Sequence, residues 1–211
     1  MRKEYSNLDE SATRLIINSF LTEVLGYKEL DEIKTEYQIR GEYADYVIQL
    51  KRKKHFVVEV KSIQLDLCER HLRQSLNYAA NEGVDWILLS NGRQLELYRV
   101  SFGKPISTSL VMSMDFINSD DFKKAAETLI YLTKKCVERG KLEEYWKRFN
   151  ALAPDAISKL IYSEDVVKIL RRELKGDTGI YFQMDDVANS VYEALAKKVD
   201  FGKPKLRPSK K

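Results

Sequence analysis

Three residues carry most of the chemistry that can be read from the chain. In Val57-Val58-Glu59-Val60-Lys61, Glu59 and Lys61 stand two apart within a run of valines. On a strand this spacing sends both side chains to one face, while Val58 and Val60 take the other. In Ala44-Asp45-Tyr46-Val47-Ile48 a second acid sits inside an apolar stretch, and a buried carboxylate needs a partner or a metal. If the two strands pair through a hairpin at Lys51 to Lys54, counting back from the turn brings Asp45 near the level of Glu59. Two carboxylates and the carbonyl of Val60 would then offer three hard oxygens to one divalent cation. Magnesium suits that set, with manganese as its substitute, because it takes one or two carboxylates and keeps water for chemistry. Lys61 beside them would orient or deprotonate an attacking water and offset charge on phosphorus. The reaction class is phosphodiester hydrolysis. A structural pair between Asp45 and Lys61 is the bland alternative, but one lysine cannot neutralise two mid-strand acids.

The elements that must position these residues follow from hydrophobic period. Leu15, Ile16, Phe20, Val24 and Leu25 recur at helical spacing up to Gly26 and predict a first helix beginning near Asn7. The period then changes to two, predicting sequential antiparallel strands at Ile33 to Ile39, Tyr43 to Leu50 and His55 to Val60. A helix over Asp66 to Asn81 follows, with Leu65, Cys68, Leu72, Leu76 and Ala79 on its apolar face and Gly83 as its stop. Val84 to Leu89 is a nearly continuous apolar run, expected as a strand buried on both faces. Asn91-Gly92 turns the chain into an alternating strand from Gln94 to Val100, and a weak strand spans Ser107 to Met114. Beyond it the patterning is helical, near Asp120 to Glu138, Lys141 to Leu152, Ala156 to Lys159, Glu164 to Lys175 and Asp185 to Val199, with Gly176 to Gly179 as a loop. The expected organisation is an α/β domain over 1–117, a helical packing or dimerisation layer over 118–202, and a basic tail over 203–211.

Bulk composition narrows the classes. The net charge of +4 suggests a nucleic-acid binder, but the last nine residues hold five Lys or Arg and no acid. Without them 31 basic residues face 32 acidic ones, so the sequence pI of 8.8 reports the tail. That tail reads as a solvated end, or as a non-specific phosphate-binding arm. No apolar run approaches the roughly 20 residues that span a bilayer, and no signal-peptide core follows Met1, so a cytoplasmic address with no membrane association is expected. Cys68 and Cys136 lack CxxC spacing and, with only His55 and His71 for company, make a poor zinc set. No G-x-x-x-x-G-K-[ST] loop occurs, since Gly103-Lys104 and Gly202-Lys203 are followed by proline; no ATP site or motor is implied.

Taken in order, the chain presents Glu10 on its first helix, Tyr43 to Ile48, Val57 to Ser62, Gln74 with Tyr78, Trp86 to Ser90, Asn91-Gly92, and Leu95 to Tyr98. Asp45 with Glu59-Val60-Lys61 resembles the PD-(D/E)xK nuclease superfamily. The whole order resembles the nuclease domain at the amino terminus of type I restriction enzyme R subunits and of stand-alone relatives, over roughly residues 5 to 100. One departure is Ala44 in place of the proline before the first acid.

The resemblance implies a restriction-endonuclease-like core, a mixed sheet flanked by helices, with the helical region appended. It implies a Mg-dependent endonuclease acting on DNA in restriction or defence, as a dimer that cuts two strands or beside a restriction-system partner. Asp45 and Glu59 would be metal ligands with the Val60 carbonyl, Lys61 the catalytic lysine, Gln74 and Tyr78 active-site or DNA-positioning residues, and Glu10 an outer acid. Bland readings stand beside several of these. Glu10 could close a capping box from Asn7, and Gln74 and Tyr78 could form an ordinary polar helix face opposite Leu72 and Leu76. Lys51, Arg52, Lys53 and Lys54 are either a solvated hairpin tip or phosphate contacts. His55 and His71 read as surface or packing residues, and Tyr145 and Trp146 as core. The competing function is a catalytically silent nuclease fold that binds nucleic acid or a partner subunit, motivated by the near-neutral charge of residues 1–202.

Overall fold

The computed structural model describes residues 8–39, 42–117, 123 and 126–196. Asn7 and the basic tail lie outside the described residues. A helix α1, Glu10–Ser19, continues as a π-turn through Phe20–Val24 and is followed by a short helix α2, Glu29–Glu32. Strands β1 (Ile33–Ile39), β2 (Glu42–Leu50) and β3 (Lys53–Val60) come next, then helix α3 (Glu69–Glu82) and strands β4 (Trp86–Ser90), β5 (Gln94–Ser101) and β6 (Ser107–Asp115). They form one six-stranded sheet in sequential order. Every pairing is antiparallel except β3 with β4, which is parallel across the α3 crossover. This is the mixed, helix-flanked sheet of an α/β restriction-endonuclease-like fold.

Strand alternation divides the core into two layers. Tyr46, Ile48, Val58, Val60 and Leu88 pack on one face against Ile17, Leu21 and Leu25 of the first helix and its π-turn. Val47, Val57 and Ile87 pack on the other against Leu72, Tyr78 and Ala79 of α3. Every residue of β4 is buried, as its unbroken apolar run requires between two covered faces.

Both helices are rotated from the faces their apolar spacing predicts. In α1 and its π-turn the inward residues are Thr13, Ile17, Leu21 and Leu25, while Leu15 and Val24 are exposed. The π-turn, closed by the Leu25 amide on the Phe20 carbonyl, inserts an extra residue and shifts the register after Ser19. The helix is capped at Asp9, whose Oδ1 accepts the Ala12 amide at 2.8 Å, so Glu10 does not serve as a capping-box acid. In α3 the buried set is Leu72, Ser75, Tyr78 and Ala79; Leu65 and Cys68 precede the helix and are exposed. Gly83 ends it in the left-handed region, as expected.

Further differences lie beyond the site. The β2–β3 hairpin turns on Lys51 and Arg52 alone, both at positive φ, and Lys53 and Lys54 belong to β3. The helix expected over 120–138 is interrupted. Among its described residues are a 3₁₀ turn, Ile130–Leu132, and a helix, Lys134–Glu138, separated at an extended Thr133. There the Leu132 carbonyl accepts the Tyr27 hydroxyl at 2.7 Å and the Lys134 amide donates to the Leu25 carbonyl at 2.9 Å. The chain bends to dock on the end of the first helix, and Leu132, Val137 and Leu142 join the sheet's core. Trp146 meets Trp86 edge-on and Tyr145 stacks on Tyr131. These residues therefore belong to a compact unit spanning 1–146, later than the boundary at 117 that patterning suggests; residues 147–211 form a second unit. That unit holds helices Pro154–Ile161, Glu164–Thr178 and Met184–Ala196. The expected loop at Gly176 is the last turn of the middle one, which stops only where Gly179 takes φ 74°.

Candidate active site

Asp45 reaches Glu59 because of the β2–β3 register. The aligned pairs include Val47 with Val57 and Tyr46 with Val58. One step further along each strand stands Asp45, beside Glu59 on the α3 face of the sheet. Asp45 Oδ2 accepts the Val60 amide at 2.7 Å, and Oδ1 accepts from Arg14 Nη2 at 2.6 Å. Glu59 Oε1 accepts from Lys61 Nζ at 2.6 Å, and Oε2 from the Ser75 hydroxyl at 3.4 Å. Glu10, four residues before Arg14 on α1, touches both bases: its Oε1 lies 3.2 Å from Arg14 Nη2 and its Oε2 3.8 Å from Lys61 Nζ. Three acids and two bases thus share one network.

The backbone around it is locked. Lys61 donates its amide to Ser90 across the parallel pair at 2.9 Å. Buried Asn91 holds the following turn, its Oδ1 accepting the Arg93 and Gln94 amides and its Nδ2 donating to the Leu65 carbonyl. Gly92 takes φ 80°, and a Cβ there would stand 3.3 Å from Thr13 Cγ2. The small residue lets α1 approach closely enough to deliver Glu10 and Arg14.

Electrostatics follow from burial. Glu59 is 1% exposed, and burial pushes its pKa up to about 7 even though the Lys61 ammonium pulls it down. The pKa of Asp45 is likewise raised, burial outweighing the Val60 amide, Arg14 and Lys61. His71, in the first turn of α3, is pushed down by burial and then by Lys61, with Glu10 opposing. Sequence reasoning treated His71 as surface or packing and missed its place beside this network.

Among the described residues, no three side chains of His, Cys, Asp or Glu gather closely enough to hold a metal by themselves. The oxygen donors present still fit a magnesium-type ion, which uses few protein carboxylates and completes its shell with water. Two carboxylates held in a dry patch, ionised only at the cost that raises their pKa values, are a suitable donor set. Asp45 and Glu59 would hold the ion, with the Val60 carbonyl as the expected third oxygen.

The structure brings Asp45, Glu59, Lys61 and Glu10 together and treats the other predicted residues differently. Tyr78 is 1% exposed within the core and cannot meet a duplex while the fold is closed. Gln74 is exposed on α3. Arg52, in the turn before β3, stands seven residues from Glu59, about 23 Å at strand rise, and Lys54 is paired with Glu82. The cluster from Lys51 to Lys54 is therefore separate from the acidic site. Arg14 and Ser75 were missed; a Glu-to-Arg i,i+4 spacing was present for the first, while a lone serine in a polar helix gives no signal.

The family model described as Type I restriction enzyme R protein N terminus matches residues 9–111, which contain all of these site residues. No curated protein and no solved structure matches the chain.

Proposed function

We propose, from the match of residues 9–111 to the family model described as Type I restriction enzyme R protein N terminus, that this unit is a magnesium-dependent endonuclease hydrolysing DNA phosphodiester bonds. The observation that carries the proposal is the pairing of buried Glu59 with the part-buried Asp45 beside Lys61. When bound, magnesium would supply Lewis-acid polarisation of the scissile phosphate. Asp45 and Glu59 would hold that ion. Lys61, 13% exposed at its side chain, turns its ammonium from Glu59 toward the incoming water or the phosphoryl oxygens. Glu10 steadies Lys61 from the outer side, and the exposed Gln74 offers an amide to DNA lying along α3. The substrate is DNA, and the family context points to partner subunits of a restriction system.

Purified protein is expected to nick supercoiled plasmid with Mg²⁺ or Mn²⁺, and Asp45→Ala to lose that activity. Equal nicking by the variant would overturn the assignment. A silent DNA- or subunit-binding module is the second reading, favoured by the contacts of Arg14 and Lys61 with the two acids. It predicts no Mn²⁺ binding at millimolar concentrations by calorimetry.

A further inference from the structure

We propose that Arg14 is a resident counter-cation, holding the Asp45 oxygen that the metal would take, so that metal enters only as the guanidinium moves aside. The inference rests on the metal-dependent reading above. Asp45 cannot present its two oxygens interchangeably. Oδ2 is engaged by the Val60 amide at 2.7 Å, leaving Oδ1 as the oxygen turned toward Arg14 Nη2 at 2.6 Å. A guanidinium stays charged at any accessible pH, so this contact is not removed by titration and must be broken or shared when a dication arrives. Two positive groups on one carboxylate oxygen repel at short range in a partly dry site.

The chain also provides a place for the displaced group. Nη2 already lies 3.2 Å from Glu10 Oε1, and the Arg14 and Glu10 side chains are 33% and 38% exposed. A rotation of the arginine stem can release Asp45 while keeping Glu10 as an ionic partner. The backbone need not follow, because the Arg14 carbonyl is anchored by the hydroxyl of Tyr46, the residue after Asp45, at 2.8 Å. One side chain thereby has two arrangements, and a cation at Asp45 favours the one over Glu10. Arg14 is a positioning residue that sets metal affinity, distinct from the residues that would hold the ion.

The test is Mn²⁺ calorimetry at constant pH on wild type, Arg14→Gln, Arg14→Met and Arg14→Lys, with melting temperatures in EDTA and in Mn²⁺. Methionine retains the packing of the stem if glutamine disturbs folding. Removing the charge is expected to tighten Mn²⁺ binding about tenfold, to lower the melting temperature in EDTA, and to enlarge the rise on adding Mn²⁺. Lysine is expected to stay near wild type. Wild type binding Mn²⁺ while both neutral variants bind equally or more weakly overturns the role given to Arg14 and leaves the metal reading standing. Absence of binding by every protein overturns the metal reading and, with it, this one.

Discussion

Replacing Glu59 with glutamine should remove the pH dependence of stability that this one carboxylate imposes on the metal-free protein. In the unfolded chain Glu59 ionises near 4.5, whereas in the fold its pKa is about 7. The folded state therefore binds the proton more tightly. The stabilisation is fully present below about pH 4.5 and is lost as pH rises through 7. The gap between the two values corresponds to about 3 kcal/mol at high pH, of which about 2.5 kcal/mol falls between pH 5 and pH 8. Glutamine has no proton to lose, so the stability of Glu59→Gln relative to wild type should improve by about 2.5 kcal/mol over that interval. Urea unfolding in EDTA, followed by circular dichroism at both pH values, measures it. Adding Mg²⁺ at pH 8 should restore wild type and leave the variant unmoved, because the cation replaces the missing counter-charge. Parallel stability profiles for the two proteins would refute the claim that Glu59 is a buried, under-neutralised carboxylate.

Other substitutions probe the remaining parts of the site. Lys61→Ala should retain Mn²⁺ binding by calorimetry while slowing single-turnover plasmid cleavage about a hundredfold; loss of metal binding instead would make Lys61 structural. Tyr78→Ala should destabilise the fold by about 3–5 kcal/mol in urea titrations, whereas Tyr78→Phe should leave DNA affinity in gel shifts unchanged, since the ring lies in the core. Gly92→Ala should cost about 1 kcal/mol or more through its φ of 80° and weaken nicking by pushing on Thr13. Unchanged nicking by that variant would disprove the close approach.

The sheet and the acid pair were legible because period-two alternation and a short hairpin leave little choice of register. Once Val47 faces Val57, Asp45 must come beside Glu59. Helix rotation was less legible. Apolar spacing placed Leu15 and Val24 inward, whereas the buried stripe runs through Thr13, Ile17, Leu21 and Leu25; the π-turn, which leaves no trace in composition, resets the register only beyond Ser19. On α3, Gln74 and Tyr78 are four apart and so about 40° apart around the axis. That difference suffices to put the tyrosine at the margin of the buried arc and the glutamine outside it. Ser75 turns inward among apolar neighbours toward Glu59, a position that a hydrophobic pattern assigns to no one. The bend at Thr133 depends on Tyr27 and Leu25, more than 100 residues earlier, and local propensity cannot register such a partner.

Crystals soaked in millimolar Mn²⁺ and measured for anomalous scattering test the central claim most directly. The account predicts a peak bonded to carboxylate oxygens of Asp45 and Glu59 at roughly 2.0–2.2 Å, with the Arg14 guanidinium withdrawn from Asp45 toward Glu10. No peak between the two acids, with Arg14 still on Asp45 and Lys61 still on Glu59, would contradict it.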